Sequence, residues 1–492
     1  MKLRLSVVAL MFAAPALLAL EGDTGMHDPS TIVLDDGRYY SFGTGNGLPI
    51  SVSDDGWTWR RVGTLMEGVP GGRAGPEVLE RGGNNTWAPD VIEIDGKFYI
   101  YYSAPGQQPK AAVGLLIGST LDPEAPDYGW EDGGPVVWSD GVEDSNAIDP
   151  GIFLDPNDGR LWMVYGSYFG YIRLVELDPA TGQRLYPERD AVNVAINSEA
   201  SIVIYRDGWY YLLVTHGSCC RGASSTYNIR MGRSREVTGP YIDNMGIDML
   251  QGGGKLFLGS GGRRIGPGHF GLLDLGDGVQ KFSLHYEADL DRGGISVLDI
   301  RPLLWSDGWP VAGDHLRAGT YQIESARTGT AVELAVEGIP VGGPGRGRGG
   351  RGGGAPIPDQ SAFESSVNWP AGPIPLRMSP YMLQAQQKWS ITPAANVGGY
   401  PGAPYYRITI AGSGRTLAAT AARELVTVPN YSGAPEELWR IDQLTDGSYR
   451  IMPKATPGTD AELALSAAGS SFPTLDEFNP DSDRQRWLLK AP

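Results

Sequence analysis

The sequence predicts an all-β protein in two parts, the first a five-bladed β-propeller, and three observations predict it. Glycine supplies 70 of 492 residues, about twice the usual share of roughly 7%. With 37 Pro and 13 Trp, this composition suits many tight turns between short strands. Asp-Gly pairs followed by strand formers recur five times between residues 36 and 282, and a different repeat ending in Gln/Glu-x-Trp begins near Gly319.

At roughly 100 to 200 residues per domain, the length allows two or three domains with ample cores. Hydrophobic content of 41%, aromatic content of 10% and charged content of 20% describe a packed globular chain and exclude a long disordered or coiled-coil one. The charge sum is 40 − 57 = −17. That field repels phosphate backbones and anionic lipid, so nucleic acid and membrane surfaces are poor partners, whereas a neutral polysaccharide is unaffected. The only cysteines are Cys219 and Cys220, so no disulfide framework holds the fold and its stability must come from burial. Residues 1–20 carry Lys2 and Arg4, an apolar run from Leu5, and the small-x-small Ala14-Pro15-Ala16. They read as a cleaved export signal. The run stops before Glu21, short of the roughly 20 residues that span a bilayer, and an exported protein without a membrane span is expected.

The five repeats are Asp36-Gly37-Arg38-Tyr39-Tyr40, Asp95-Gly96-Lys97-Phe98-Tyr99, Asp158-Gly159-Arg160-Leu161-Trp162, Asp207-Gly208-Trp209-Tyr210-Tyr211 and Asp277-Gly278-Val279-Gln280-Lys281-Phe282. Each Asp-Gly is a hairpin signal between apolar strands. Successive Asp positions are 59, 63, 49 and 70 residues apart, enough for about four strands and their loops, which is one propeller blade.

In such a blade the innermost strand lines the central channel. Eight to ten places before each turn glycine stand Asp28, Ala88, Asp149, Glu199 and His269. Repeat symmetry would bring them to one end of the axis. Asp28-Pro29 and Asp149-Pro150, taken singly, read as Asx-type turn starters. Three acids and a histidine in register favour function, because clustered like charges raise one another's pKa and are seldom kept for structure.

The segments His27-Asp28-Pro29-Ser30, Trp87-Ala88-Pro89-Asp90, Asn146-Ala147-Ile148-Asp149-Pro150-Gly151, Tyr165-Gly166-Ser167-Tyr168, Ser218-Cys219-Cys220-Arg221-Gly222, Ser225-Thr226-Tyr227-Asn228-Ile229, Gly232-Arg233-Ser234 and Gly266-Pro267-Gly268-His269 resemble glycoside hydrolase family 43, most of all its endo-α-1,5-L-arabinanases. The resemblance spans about residues 21–312. It implies a five-bladed propeller that cleaves α-1,5-linked arabinofuranose chains with inversion, Asp28 being the general base, Asp149 the residue that tunes and orients the acid, and Glu199 the general acid. After the acid the chain reads Glu199-Ala200-Ser201, where the family commonly has proline third. In the family the histidine matching His269 lies near a mainly water-coordinated ion, often calcium.

Elementary chemistry agrees with those roles. Inversion needs one protonated carboxyl at the glycosidic oxygen and one carboxylate holding water on the opposite ring face, about 6.5 to 9.5 Å apart. A third acid near Glu199 keeps it a proton donor. Trp87 is placed to stack on a furanose ring or to fill the core. Asn146 and Ser167 can bond sugar hydroxyls or close turns. Cys219-Cys220 either forms a vicinal disulfide in an oxidising compartment or stays as two thiols near the cleft. A catalytic cysteine is disfavoured, since the acids already account for the chemistry.

After Trp305-Ser306-Asp307-Gly308-Trp309-Pro310 the second repeat takes over: Tyr321-Gln322-Ile323 to Gln387-Lys388-Trp389, Tyr406-Arg407-Ile408 to Glu437-Leu438-Trp439, and Tyr449-Arg450-Ile451 to Gln485-Arg486-Trp487. These units resemble the ricin-type β-trefoil, often a carbohydrate-binding module, and assign residues 313–492 to it after a propeller at 21–312. The Gly/Arg stretch 342–354 is expected to be a loop. Sugar-binding trefoils carry an Asp after a leucine in each unit. Leu334-Ala335, Leu417-Ala418 and Leu463-Ala464 read as those places without their acids.

The expected function is therefore an exported, endo-acting arabinan hydrolase whose partner is plant cell-wall polysaccharide, with arabinan side chains of pectin included. It needs no organic cofactor, and a structural calcium near His269 is expected. Competing expectations are an exo-acting arabinofuranosidase, a β-xylosidase, and a propeller that binds carbohydrate without catalysis.

Overall fold

The computed structural model describes residues 20–142, 145–336, 369–467 and 471–492. Most of the expected export signal and the stretch 342–354 lie outside the described residues. The first part is a ring of five antiparallel sheets whose four strands follow in chain order. Blade 1 runs from Val33–Asp35 to Thr58–Thr64, blade 2 from Trp87–Ile94 to Glu131–Ser139, and blade 3 from Gly151–Leu154 to Val192–Ile196. Blade 4 runs from Glu199–Arg206 to Lys255–Leu258 and blade 5 from Arg264–Asp274 to Trp309–Ala312. The five-bladed propeller expected from the repeats is the fold observed.

Four of the Asp-Gly pairs, at 36, 95, 207 and 277, put both residues at positive φ, from 46° to 77°, as two-residue hairpin turns require. The third differs. Its ladder ends at Leu154 opposite Leu161, and the loop 155–160 is closed by the Gly159 N–H donating to the Asp155 carbonyl at 2.9 Å. The cores lie between blades: Tyr40, Phe42 and Ile50 of blade 1 pack against Val91, Ile100 and Tyr102 of blade 2. The N-terminal segment closes the ring, pairing Glu21–Gly22 with Thr58–Trp59 of blade 1 while the Leu298 N–H of blade 5 donates to the Thr24 carbonyl at 2.9 Å.

The second part is a ricin-type β-trefoil-like domain of three four-stranded units, beginning at Gly319–Ser325, Tyr406–Ile410 and Tyr449–Pro453 and ending at Trp389–Pro393, Trp439–Gln443 and Trp487–Lys490. The Gln/Glu-x-Trp motif builds it. Gln387, Glu437 and Gln485 accept the backbone N–H groups of Met382, Ser432 and Asn479 at 2.7, 2.7 and 2.9 Å. The fully buried indoles donate to the carbonyls of Val332, Leu417 and Leu465 at 2.9, 3.1 and 2.8 Å. These bonds correct the register read from sequence. The residues that match Ala418 are Glu333 and Ser466, not Ala335 and Ala464: the indole acceptors Val332, Leu417 and Leu465 stand one place before them, and only in the third unit is the loop before the second strand longer. The first unit therefore keeps an acid, and Arg377 Nε holds its Oε1 at 2.5 Å.

The two parts share a polar seam. The Gly399 N–H donates to the Asp55 carboxylate at 2.9 Å and the Thr445 N–H to the Gly278 carbonyl at 2.9 Å. Lys281 of blade 5 is buried at this seam, 3.7 Å from Asp442 of the trefoil. Among the described residues, no helix is long and apolar enough to cross a membrane.

Candidate active site

Five residues at the head of the innermost strands share a left-handed backbone: Asp28, Ala88, Asp149, Ala200 and His269, with φ of 48°, 39°, 57°, 47° and 61°. Non-glycine residues pay for this conformation unless bonds hold it. In four blades the bond comes from the preceding blade, from the residue seven places after its turn glycine (37→44, 96→103, 208→215, 278→285). Thr44 Oγ1 accepts the Ala88 N–H at 2.8 Å, Ser103 Oγ the Asp149 N–H at 2.8 Å, Thr215 Oγ1 the His269 N–H at 3.0 Å, and His285 Nδ1 the Asp28 N–H at 2.9 Å. In blade 3 that place is Gly166, where an added Cβ would sit 2.5 Å from the Tyr171 carbonyl oxygen. Asp149 supplies the missing acceptor, taking the Ala200 N–H on Oδ2 at 3.2 Å.

The fourth axis position is thus Ala200, not Glu199. A register shift between Glu199 and Ile202 places Glu199 one residue before the axis series, still beside Asp149. Glu199 accepts the Ser167 hydroxyl on Oε2 at 2.8 Å and the Tyr227 hydroxyl on Oε1. Of the residues expected to touch sugar, Ser167 is therefore engaged with Glu199. Trp87 is half-buried at the head of blade 2. Asn146 is fully buried, and neither of its amide atoms has a hydrogen-bond partner.

Electrostatics separate the acids. Burial opposes ionisation of Asp28, but the imidazoles of His27, His269 and His285 outweigh that cost and hold it well below the ordinary carboxylate range. Their nearest nitrogens lie 3.5, 3.3 and 3.6 Å from its oxygens, and Thr44 Oγ1 donates to Oδ2 at 2.6 Å. Asp149 moves far upward, through burial first and then repulsion from Glu199 and Asp28. Glu199 also rises, through burial and then Asp28, against the pull of the Tyr227 and Ser167 hydroxyls. These directions favour a proton held between Asp149 and Glu199 and an ionised Asp28. His269 lines a narrow cavity on the axis together with Asp90, whose oxygens accept the N–H groups of Thr31 and Ile152 at 3.0 and 2.8 Å.

Thr44, Ser103, Thr215 and His285 were not singled out from the sequence, although their common offset from the turn glycines would have found them. His27 and Tyr227 lay inside recognised segments but were given no role.

A propeller axis with one ionised carboxylate and a protonated carboxyl pair from other blades is the equipment of an acid/base glycosidase. The chain belongs to the glycosyl hydrolases family 43, whose profile matches residues 22–310. A profile described as ricin-type beta-trefoil lectin domain-like matches 385–471. The chain is similar to the extracellular exo-α-(1→5)-L-arabinofuranosidase of Cellvibrio japonicus, 36% identical over 326 aligned positions, with 62% of this chain and 91% of the relative covered. It is also similar to the extracellular endo-α-(1→5)-L-arabinanase 1 of Bacillus subtilis, at 33% identity over 61% of this chain and 91% of the relative. Among solved structures, the α-L-arabinanase of Cellvibrio cellulosa superposes with a TM-score of 0.54 at 32% identity, covering 59% of this chain and 96% of that one.

Proposed function

We propose that this family 43 hydrolase is an exported, endo-acting arabinanase that cleaves α-1,5-L-arabinofuranosidic bonds with inversion, in arabinan and in the arabinan side chains of pectin. The observation that carries the reading is the placement of Asp28 among three imidazoles at 3.3 to 3.6 Å, which favours its ionised form, and of a buried Glu199 beside Asp149, which favours a proton. Asp28 takes a proton from the water that attacks the anomeric carbon, and Glu199 gives one to the departing sugar oxygen. Asp149, fixed by the Ala200 N–H, shares a proton with Glu199, since burial and mutual repulsion oppose ionisation of both carboxyls at once. Ser167 and Tyr227 aim the Glu199 carboxyl, while half-buried Trp87 contacts the furanose rings. The relatives' names, which specify α-(1→5)-arabinose bonds and extracellular enzymes, support the substrate and the export of the chain after residues 1–20.

The donors around His269 suit a mainly water-coordinated calcium ion. Its Nδ1 stands 3.3 Å from Asp28 Oδ1, and one carboxylate, Asp90, faces the same cavity, so water would have to supply most of the shell of a hard cation. Such an ion supplies positive charge beneath the acids. The trefoil adds polysaccharide binding in this reading.

Exo action is the second reading, favoured by the exo-acting relative at 36% identity. Incubation with debranched arabinan, an aryl arabinofuranoside and xylan separates them. Endo cleavage gives a fast viscosity drop and mixed oligomers from arabinan; slow viscosity loss with a single short product indicates exo cleavage. Hydrolysis of xylan alone would overturn both.

A further inference from the structure

Next to Asp28, four side chains converge from three blades, and the hydrolytic reading leaves their combination unused. Cys219 and Cys220, on the loop after the second strand of blade 4, are joined as a disulfide. Their sulfurs lie 3.9 and 4.0 Å from His27 Nε2 of blade 1. Glu287, on the second strand of blade 5, reaches the same point from below. Its Oε2 accepts the Cys220 N–H at 3.1 Å, and its buried Oε1 stands 3.6 Å from His285 Nε2 and 3.8 Å from His27 Nδ1.

One ligand atom from each of these four residues lies within 4.8 Å of the others. Two sulfurs, an imidazole nitrogen and a carboxylate oxygen form the donor set of a tetrahedral soft-metal site. A tetrahedral ion with metal–sulfur bonds of about 2.3 Å and metal–nitrogen bonds of about 2.0 Å holds sulfur and nitrogen about 3.5 Å apart, slightly closer than these atoms stand. The covalent bond between the sulfurs is the obstacle, since two bonded sulfurs cannot both act as thiolate ligands. Cys220 is exposed, so a small thiol reaches it.

We propose that reduction of the Cys219–Cys220 bond by a dithiol creates a site for one soft divalent cation, Zn²⁺ or Cd²⁺, held by Cys219, Cys220, His27 Nε2 and Glu287, and that the bound ion switches off the adjoining acids. The dithiol gives up two electrons and two protons and closes to its own disulfide, while the protein disulfide becomes two thiols. Metal binding then releases both thiol protons, as thiolates are the ligands. His27 Nε2 is also 3.5 Å from Asp28 Oδ2, so ligation takes it away from Asp28 and sets a cation across the entrance to the acids. This inhibitory half rests on the reading of Asp28 as general base.

The test uses the full-length protein, untreated or reduced with dithiothreitol that is then removed under argon, titrated with Cd²⁺. The thiolate-to-cadmium charge-transfer absorption and arabinan hydrolysis are recorded together. The expected result is a band that saturates at one equivalent in reduced protein only, with hydrolysis falling by the order of 10² fold, the scale of a general base, and recovering after reoxidation. The variant Cys219→Ser/Cys220→Ser should hydrolyse arabinan normally, show no band and ignore one equivalent of Cd²⁺. Reduced protein without a band at one equivalent, or an equal band in the double variant, overturns the site. A saturating band with unchanged hydrolysis overturns the switch. Failure of the untreated enzyme to hydrolyse arabinan counts against the proposed function alone, because the absorption reads the metal site without substrate.

Discussion

Five blades bring one left-handed backbone position to the propeller axis and fill it with Asp28, Ala88, Asp149, Ala200 and His269, whereas three trefoil units bring the same residue to theirs, Trp389, Trp439 and Trp487. The propeller repeats a backbone and lets the side chains diverge; the trefoil repeats the side chain as well. Chemistry needs unlike groups at one point, an ionised acid beside a protonated one, and a ring of equivalent positions supplies them once each blade is free to change its residue. A core needs the reverse, because three equal indoles packed to interior density leave little room for variation. Even the trefoil position that retains an acid, Glu333, is tied to Arg377, so that unit spends its polarity within the fold.

Substitutions in the two regions should therefore fail in opposite ways. Glu199→Gln is expected to lose about 10² to 10⁴ fold on arabinan, whose alkoxide leaving group needs a proton, and far less on an aryl arabinoside, with the melting temperature little changed. Equal losses on both substrates would remove Glu199 from the acid role. Trp439→Ala should instead cost about 3 to 5 kcal/mol of trefoil stability, read by denaturant unfolding, while turnover per folded molecule on short arabino-oligosaccharides stays near the starting value. A fall in that turnover would show that the trefoil core supports the site directly.

A smaller effect concerns pH. Activity needs Asp28 ionised and Glu199 protonated. With the first held below and the second raised above the ordinary range, the acid limb of kcat/KM should lie below ordinary carboxylate values and the alkaline limb above them. Asp149→Asn should draw the alkaline limb downward, since it removes the repulsion that opposes ionisation of both carboxyls of the pair. An unmoved limb would separate Asp149 from the tuning of Glu199.

The smallest effect lies where the two regions meet. Burial pushes Lys281 down to about 8, against the attraction of Asp442. The folded state thus penalises the charged lysine fully below that pH. The penalty fades as the pH rises from about 8 toward the ordinary lysine value of 10.5, so stability should rise across this window, by at most about 3 kcal/mol. Lys281→Met should abolish that rise. A rise of equal size in the variant would assign it to other groups.

The blade count and the axial placement of Asp28 and Asp149 were legible because hairpin turns fix how far an inner strand head lies from its Asp-Gly pair. Counting failed wherever the ladder gains or loses a residue. The shift between Glu199 and Ile202 moved the fourth axis position to Ala200, and the longer loop before Leu463–Ala467 displaced the third trefoil unit's comparison to Ser466. The histidines around Asp28 were not legible as a cluster, since His27, His269 and His285 meet only when blade 5 closes against blade 1. Tyr227 likewise reaches Glu199 across blade 4, a contact set by strand pairing and invisible to local pattern.

The central claim is that Asp28 and Glu199 act from opposite faces of the sugar, and the configuration of the first product tests it most directly. Proton NMR during the first turnovers on an α-1,5-arabino-oligosaccharide should show the β-anomer appearing first and the α-anomer growing only by mutarotation. An initial α-anomer would mean a covalent intermediate and retention, and would contradict the assignment of Asp28 as the base that activates water.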